Sequence, residues 1–352
     1  MTSRDPAPKE NLTEFHALTE AEELRRALGH SQLALRKAKA RNEQLVAATL
    51  QGAREAFLAL GPLPEVPAPK LFVAGKSQKE EVALWHLTDW QGTKVTTTYN
   101  SDIMRERVLH YCDTAEKLTR MQRAHHPVKR CVIMFGGDMA EGLFQFPQQP
   151  YEIDGTLFQQ YAQAARLEVE VVRRALAIYE EVEVIAEWGN HGRVGNKRAT
   201  VPLSDNFDRM GYEFARTLIA ESADAPRVKW EDCPEDIQHV EIGNYRALLI
   251  HGDEVGRNGF ASRNTLVNHV GRWQSGAHDW EFRDCFLGHY HQHGEDSLPN
   301  GYGTCFWTGS PESDSRYASV SVAAGSRPSQ RLHFVDPEKG RTTSQYRVWL
   351  DD

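Results

Sequence analysis

Cys131-Val132-Ile133-Met134-Phe135-Gly136-Gly137-Asp138-Met139-Ala140-Glu141 is the stretch on which the reading of this chain turns. Its first five residues form a short apolar run, closed by a glycine pair, as in a buried strand. A carboxylate, Asp138, stands just past the strand's C-terminus, and Glu141 follows three residues later. The same order of parts recurs on either side. Val82–Leu87 leads into Thr88-Asp89-Trp90-Gln91, and Val182–Trp188 into Gly189-Asn190-His191-Gly192-Arg193. Tyr245–Ile250 leads into His251-Gly252-Asp253, and Cys285–Leu287 into Gly288-His289-Tyr290-His291. Ligand-type residues at strand C-termini converge on one edge of a sheet, where open α/β folds place their sites. Glycines beside nearly all of them permit close backbone approach.

The segments between supply the other layers. Asp102–Gln122 carries helical apolar spacing through Met104, Val108, Cys112, Ala115 and Leu118, and Leu157–Tyr179 reads as a second helix. His239–Ile242 and Tyr245–Ile250 flank Gly243-Asn244, a two-residue hairpin signal. Leu332–Val335 and Tyr346–Leu350 make a β-rich tail. A mixed α/β domain over residues 80–352 is the expected result.

Carboxylate, imidazole and amide oxygen together suit Mn²⁺, Fe²⁺ or Zn²⁺ better than an all-oxygen Ca²⁺ cage. Two such cations about 3.5–4 Å apart clamp a phosphate and activate a water for in-line displacement. That chemistry needs one carboxylate shared by both metals and one proton donor facing the leaving oxygen.

In order, the five loops resemble the signature of the calcineurin-like metallophosphoesterases, with the resemblance spanning roughly residues 80–295 and lying nearest the DNA exonuclease and phosphodiesterase branch. The resemblance implies an α/β fold of four layers, α/β/β/α, with two mixed sheets flanked by helices. It implies two divalent metal ions, Mn²⁺ foremost, with Fe²⁺, Zn²⁺ or Mg²⁺ as alternatives. Asp89, Gln91, Asp138 and His291 would hold the first metal; Asp138, Asn190, His251 and His289 the second. His191 would be the general acid. Two positions depart from the family pattern. Gln91 replaces the more usual His, and Gly192 stands where many relatives carry the carboxylate that braces the catalytic His. Asp253 or Glu141 is left to serve as that brace.

Several neighbours admit two readings. Arg193, after the catalytic loop, is read as a substrate phosphate contact. Lys197, Arg198, Arg257, Arg263 and Arg272 suggest a basic rim, although each alone is ordinary surface. Trp90 is either a base-stacking platform or a packing residue. His86, His269, His278 and His293 fit no ligand position and are read as structural or surface residues.

The whole chain sets bounds. Its 352 residues carry a net charge of −8, which does not advertise nucleic-acid binding over the surface at large. Five scattered cysteines without a C-x-x-C pair argue against a disulfide framework or a thiolate zinc site. No apolar run is long enough for a membrane span, and residues 1–15 lack a secretory leader pattern, so a cytoplasmic protein is expected. Residues 1–60 read as a helical arm, with a capping box at Thr19 and Glu22, apolar positions Leu24, Leu28, Leu35, Leu45 and Phe57, and a basic run Arg36–Arg41. That arm suits homo-oligomerisation or a partner protein. Residues 61–79, with four prolines between Pro62 and Pro69, read as a stiff linker. The expected activity is phosphodiester hydrolysis in DNA or another nucleic acid. A phosphomonoesterase acting on proteins or small molecules is the alternative, and a non-catalytic scaffold is a third.

Overall fold

The computed structural model describes residues 79–195, 202–255, 261–313 and 327–351 except 234, together with 61, 63–69 and scattered positions between 24 and 59. The chain divides into two compact units, Met1–Ala53 and Arg54–Asp352. In the first, the described residues are helical and exposed. Thr19, Glu22, Leu35, Leu45 and Phe57 lie outside the described residues, as does Pro62. The second unit takes in the Pro-rich stretch. Val66 is buried there, its N–H donating to Asp224 Oδ1 (3.0 Å) and its carbonyl accepting from Arg227 Nη1 (2.9 Å).

Two sheets form the body of that unit. The first has six strands in the order β11-β10-β1-β2-β3-β4. Here β1 is Glu81–Leu87, β2 Val128–Gly136, β3 Glu181–Glu187, β4 Val228–Trp230, β10 Ser329–Asp336 and β11 Arg341–Trp349. Strands β1 to β4 are parallel, while β10 and β11 run antiparallel to their neighbours. The second sheet has the order β5-β6-β7-β9-β8. Its strands are β5 (Gln238–Ile242), β6 (Tyr245–Leu249), β7 (Asp284–Leu287), β8 (Gly294–Ser297) and β9 (Thr304–Trp307). Strands β6, β7 and β9 are parallel, with antiparallel β5 and β8 at the edges.

Strand β1 is buried along its whole length, as a central strand covered on both faces must be. Val82 and Leu84 face the second sheet and meet Val132, Met134, Val240, Ile242, Ala247, Leu249, Phe286 and Phe306 in one apolar layer. On the opposite face Trp85 meets Tyr111 and Tyr179 edge-on, with ring centroids 5.4 and 5.9 Å apart. Those tyrosines belong to the helical layer of α1 (Ser101–Gln122), α2 (Leu157–Ile178, which Tyr179 ends) and α3 (Phe207–Ala220). Across the molecule α4 (Arg263–Arg272) lays Leu266 and Val270 on Leu248, Cys285, Leu287, Cys305 and Trp307. The result is the four-layer arrangement of two mixed sheets flanked by helices.

Each helix starts on a polar side chain that satisfies an otherwise unpaired N–H. Asn100 accepts from Ile103 N, Asn206 from Asp208 N and Ser262 from Thr265 N, while Thr156 and Gln159 form a reciprocal capping box. Helices α3 and α4 and strands β4, β8 and β9 were not among the elements expected from sequence. Among the described residues no helix is long and apolar enough to cross a membrane. All five cysteines are buried and unpaired as disulfides.

Candidate metal centre and active site

The parallel strands of both sheets aim their C-terminal ends at one edge. Loops after β1, β2 and β3 come from the first sheet, and loops after β6 and β7 from the second. A sixth, after β9, brings in Ser310 and Glu312 and was not anticipated. All seven residues expected as ligands lie on the first five loops.

Their backbone is unusual in a way that follows the chemistry. Among the described residues six non-glycines have positive φ, and five are expected ligands: Asp89 (55°), Gln91 (48°), Asp138 (54°), His289 (63°) and His291 (53°). Left-handed backbone costs roughly 1–2 kcal/mol per L-residue, so it persists where the surroundings impose it, characteristically at functional sites. Close packing imposes it here. A Cβ on Gly189 would come 2.0 Å from Asp138 Oδ1, and one on Gly288 2.3 Å from Asp89 Oδ2. Only glycine fits behind those carboxylates.

Asp138 sits at the centre. Its Oδ1 accepts from His191 N (2.8 Å), while Oδ2 lies 3.1 Å from His251 Nε2 and 3.3 Å from Gln91 Nε2. Ligand atoms of Asp138, His251 and His289 all fall within 4.8 Å of one another. Asn190 Oδ1 is 3.3 Å from His251 Nε2. On the other side, His291 Nε2 lies 3.4 Å from Asp89 Oδ1 and 3.3 Å from Gln91 Nε2. The structure therefore brings Asp89, Gln91, Asp138, Asn190, His251, His289 and His291 into one cluster with His191 beside it.

This cluster fits divalent cations on three counts. Gln91 Oε1 is buried without a hydrogen-bond partner, an oxygen left unused beside the amide nitrogen that faces Asp138 and His291. The ring nitrogens remote from the cluster are occupied: His251 Nδ1 by Gly136 O at 2.8 Å, His291 Nδ1 by Glu312 Oε2 at 2.9 Å. Each imidazole therefore turns Nε2 inward, the outer-shell arrangement typical of metal-bound histidine. Finally, the cluster is short of positive charge. Burial alone would raise Asp138, yet His251 and His191 pull it far below the usual carboxylate range. Burial alone would lower His251 and His291, but the charge of Asp138 lifts the first well above normal and that of Asp89 the second to about 10. A cation meets the demand that these protons otherwise fill.

His191 is held from several sides. Its Nδ1 lies 2.9 Å from Glu141 O, 3.3 Å from Glu141 Oε2 and 3.1 Å from Gln149 Nε2. Its Nε2 turns towards Asp138, 3.9 Å from Oδ2. Burial would depress this imidazole, but Asp138 and Glu141 raise it to about 9, so it carries a proton at neutral pH. Of the two candidate braces, Glu141 does this work; Asp253 instead pairs with Arg193 at 2.6 Å. No carboxylate fits at position 192, where even a Cβ would stand 2.2 Å from Asn206 Oδ1.

Trp90 is wholly buried, edge-on to Phe135 at 5.7 Å, so it packs and offers no stacking surface to a base. Arg193 reaches the site's margin, with its Nη2 engaged by Asp253. In the proposed basic rim, Lys197, Arg198 and Arg257 lie outside the described residues, and Arg263 stacks over Trp307. His86 is structural: buried, with Nδ1 2.7 Å from Thr308 Oγ1. Lys94, Asp208, Gln149, Glu254 and Glu312 escaped the sequence reading. Asp208 accepts from the N–H groups of Asp138 (2.8 Å), Gly189 (2.9 Å) and Met139 (3.1 Å), clamping two ligand loops together. Glu254 accepts from the N–H groups of His251 (3.0 Å) and Gly252 (2.7 Å). Only the capping pattern Asn206-Phe207-Asp208 could have signalled any of these.

No family model matches the chain, and no curated protein matches it in sequence. Solved structures that resemble it include zinc-complexed Vps29 from Entamoeba histolytica, at 12% identity, TM-score 0.35, covering 76% of this chain and 99% of that one. A metallophosphoesterase from Sphaerobacter thermophilus has 11% identity, TM-score 0.31 and coverage of 76% and 89%. Purple acid phosphatase PPD1 from yellow lupin has 10% identity, TM-score 0.32 and coverage of 77% and 54%. Likeness this loose carries no argument about function, which rests on the geometry above.

Proposed function

We propose that this chain is a two-metal phosphoesterase of the calcineurin-like kind that hydrolyses phosphodiesters, with nucleic acid as the substrate class. The observation that carries it is the meeting of Asp138 with His251 and His289, beside the unpartnered Gln91 Oε1, at the ends of four strands drawn from both sheets. Asp89, Gln91, Asp138 and His291 would hold one cation, and Asp138, Asn190, His251 and His289 the other. Such cations supply Lewis acidity toward a phosphoryl group and make water a stronger acid.

The protein's own part is to position, orient and protonate. His191 presents Nε2 to the cluster while Glu141 holds its far nitrogen. A proton on Nε2 is thus aimed at the oxygen that departs from phosphorus. Phe146 lies 5.3 Å from the His191 ring, centroid to centroid, giving a leaving nucleoside an aromatic neighbour. Arg193 supplies a guanidinium at the margin for the substrate's phosphate. The phosphomonoesterase reading draws on the pairing of Arg193 with Asp253, which already neutralises that cation.

The test loads purified protein with Mn²⁺ and compares bis-p-nitrophenyl phosphate with p-nitrophenyl phosphate, then labelled DNA at rising salt. Diester hydrolysis, with DNA cleavage falling steeply as salt rises, is the expected result. Turnover of the monoester alone would move the protein to the phosphatase reading.

A further inference from the structure

We propose that Lys94 is the positioning residue that ties the general acid His191 to the metal ligand His291, by gripping Glu141 and Glu312 at once. The inference rests on the phosphoesterase reading and adds a part that none of the five motifs contains. Lys94 lies in the loop that carries Asp89 and Gln91, and its N–H donates to Gln91 O at 2.9 Å. Its side chain is only 10% exposed, and Nζ lies 3.0 Å from Glu312 Oε1 and 3.6 Å from Glu141 Oε2. Each carboxylate reaches onward with an oxygen to an imidazole Nδ1. Glu312 Oε2 is 2.9 Å from His291, and Glu141 Oε2 is 3.3 Å from His191. A continuous chain of contacts therefore runs His191–Glu141–Lys94–Glu312–His291, joining loops after β1, β2, β3, β7 and β9.

The physical need for it is plain. Glu141 and Glu312 are both buried, and one cation reaches both carboxylates. Lys94 is that cation. Burial works to deprotonate it, but Glu141 and Glu312 raise it above its ordinary value and keep it charged. With Nζ between the two carboxylates, each imidazole meets at Nδ1 a carboxylate that Lys94 holds, and one ammonium group fixes the spacing between proton donor and metal ligand. Outer-shell partners of this sort typically matter 10- to 100-fold for metal affinity or activity.

Full-length wild type, Lys94→Met and Lys94→Arg would each be titrated calorimetrically with Mn²⁺. They would then be assayed on bis-p-nitrophenyl phosphate, whose phenolate leaves easily, and on dithymidine monophosphate, whose sugar alkoxide needs a proton. Lys94→Met should weaken Mn²⁺ binding by about 10-fold. It should lower kcat on the dinucleotide by about 100-fold, against a few-fold on the aryl ester, and Lys94→Arg should restore both. Glu312→Gln opens the tether at its far end, so it should also sharpen the leaving-group dependence although Glu312 does not touch His191. Equal losses on both esters with unchanged Mn²⁺ affinity in Lys94→Met would overturn the proposal. So would a Glu312→Gln protein with the wild-type leaving-group dependence. If wild type cleaves neither ester, the phosphoesterase reading has failed. The Mn²⁺ titration then decides alone, and unchanged affinity in Lys94→Met sinks the tether.

Discussion

At the scale of single residues, the site is defined by which nitrogen or oxygen each side chain keeps free. His251 and His291 spend Nδ1 on Gly136 O and Glu312, and turn Nε2 inward. Both imidazoles are raised by the neighbouring carboxylates, so both hold protons that a cation must displace. Mn²⁺ binding at pH 7 should therefore release protons, read as a dependence of calorimetric enthalpy on the buffer's ionisation heat. A buffer-independent enthalpy would contradict that charge balance. In the proposed reading His191 differs, because its Nε2 is kept for the substrate. Replacing it with Ala should cost about 10²- to 10⁴-fold in kcat on a sugar-leaving diester while leaving Mn²⁺ affinity near wild type. Loss of metal together with activity would instead make His191 a ligand. The five loops were legible from sequence because each follows an apolar strand and carries a glycine, and the family resemblance then singled out Asp89, Gln91, Asp138, Asn190, His251, His289 and His291 on them. Glu312 and Lys94 were not: they lie outside every motif, and a long-range contact alone gives them meaning.

At the scale of elements, strands place the ligands and helix α3 locks them. Asp208, in the first turn of α3, takes three backbone N–H groups from the β2 and β3 loops. Removing a buried acceptor leaves its donors unsatisfied at about 1–3 kcal/mol each. Asp208→Ala should thus lower unfolding free energy by several kcal/mol in urea and also loosen Mn²⁺ binding. Thr156→Ala at the start of α2 is the contrasting case. It should cost about 1 kcal/mol, the usual value of an N-cap, and leave the metal site unchanged. Similar losses of metal affinity in both variants would show that Asp208 has no special hold on the loops. Sequence patterning revealed β1, β2, β3, β6 and β7 because apolar residues run or alternate along each. It missed β9, whose four residues Thr304-Cys305-Phe306-Trp307 follow the turn-rich Pro299–Gly303. It missed α3 although Phe207, Met210, Phe214, Ala215 and Ile219 recur at helical spacing along its 14 residues.

At the scale of the molecule, the two sheets close over buried histidines as well as apolar side chains. Burial, then the charge of Arg331, lowers His86 to about 3, and burial with Arg331 holds His333 well below its ordinary value. Above the unfolded value of about 6.5 both states are neutral and pH has no effect through these groups. Below it the unfolded chain takes up protons that the fold refuses, so stability falls as pH drops from about 6.5 towards the folded values. Each histidine contributes a slope of about 1.4 kcal/mol per pH unit across that window. Urea unfolding at pH 7, 6 and 5 should show this loss, and His333→Gln should flatten it; an unchanged slope in the variant would remove His333 from the account. The mixed α/β class was foreseeable from the alternation of strands and helices and the layer order from the family resemblance, whereas this inter-sheet polar cluster was not, since His86 and His333 meet only once β1 and β10 pair. Loops from both sheets build one centre around Asp138. Anomalous diffraction from crystals soaked in Mn²⁺ tests it most directly. Two peaks flanking the Asp138 carboxylate, one beside Asp89, Gln91 and His291 and the other beside Asn190, His251 and His289, are the expected result. No peak there, or Mn²⁺ bound elsewhere on the chain, would contradict it.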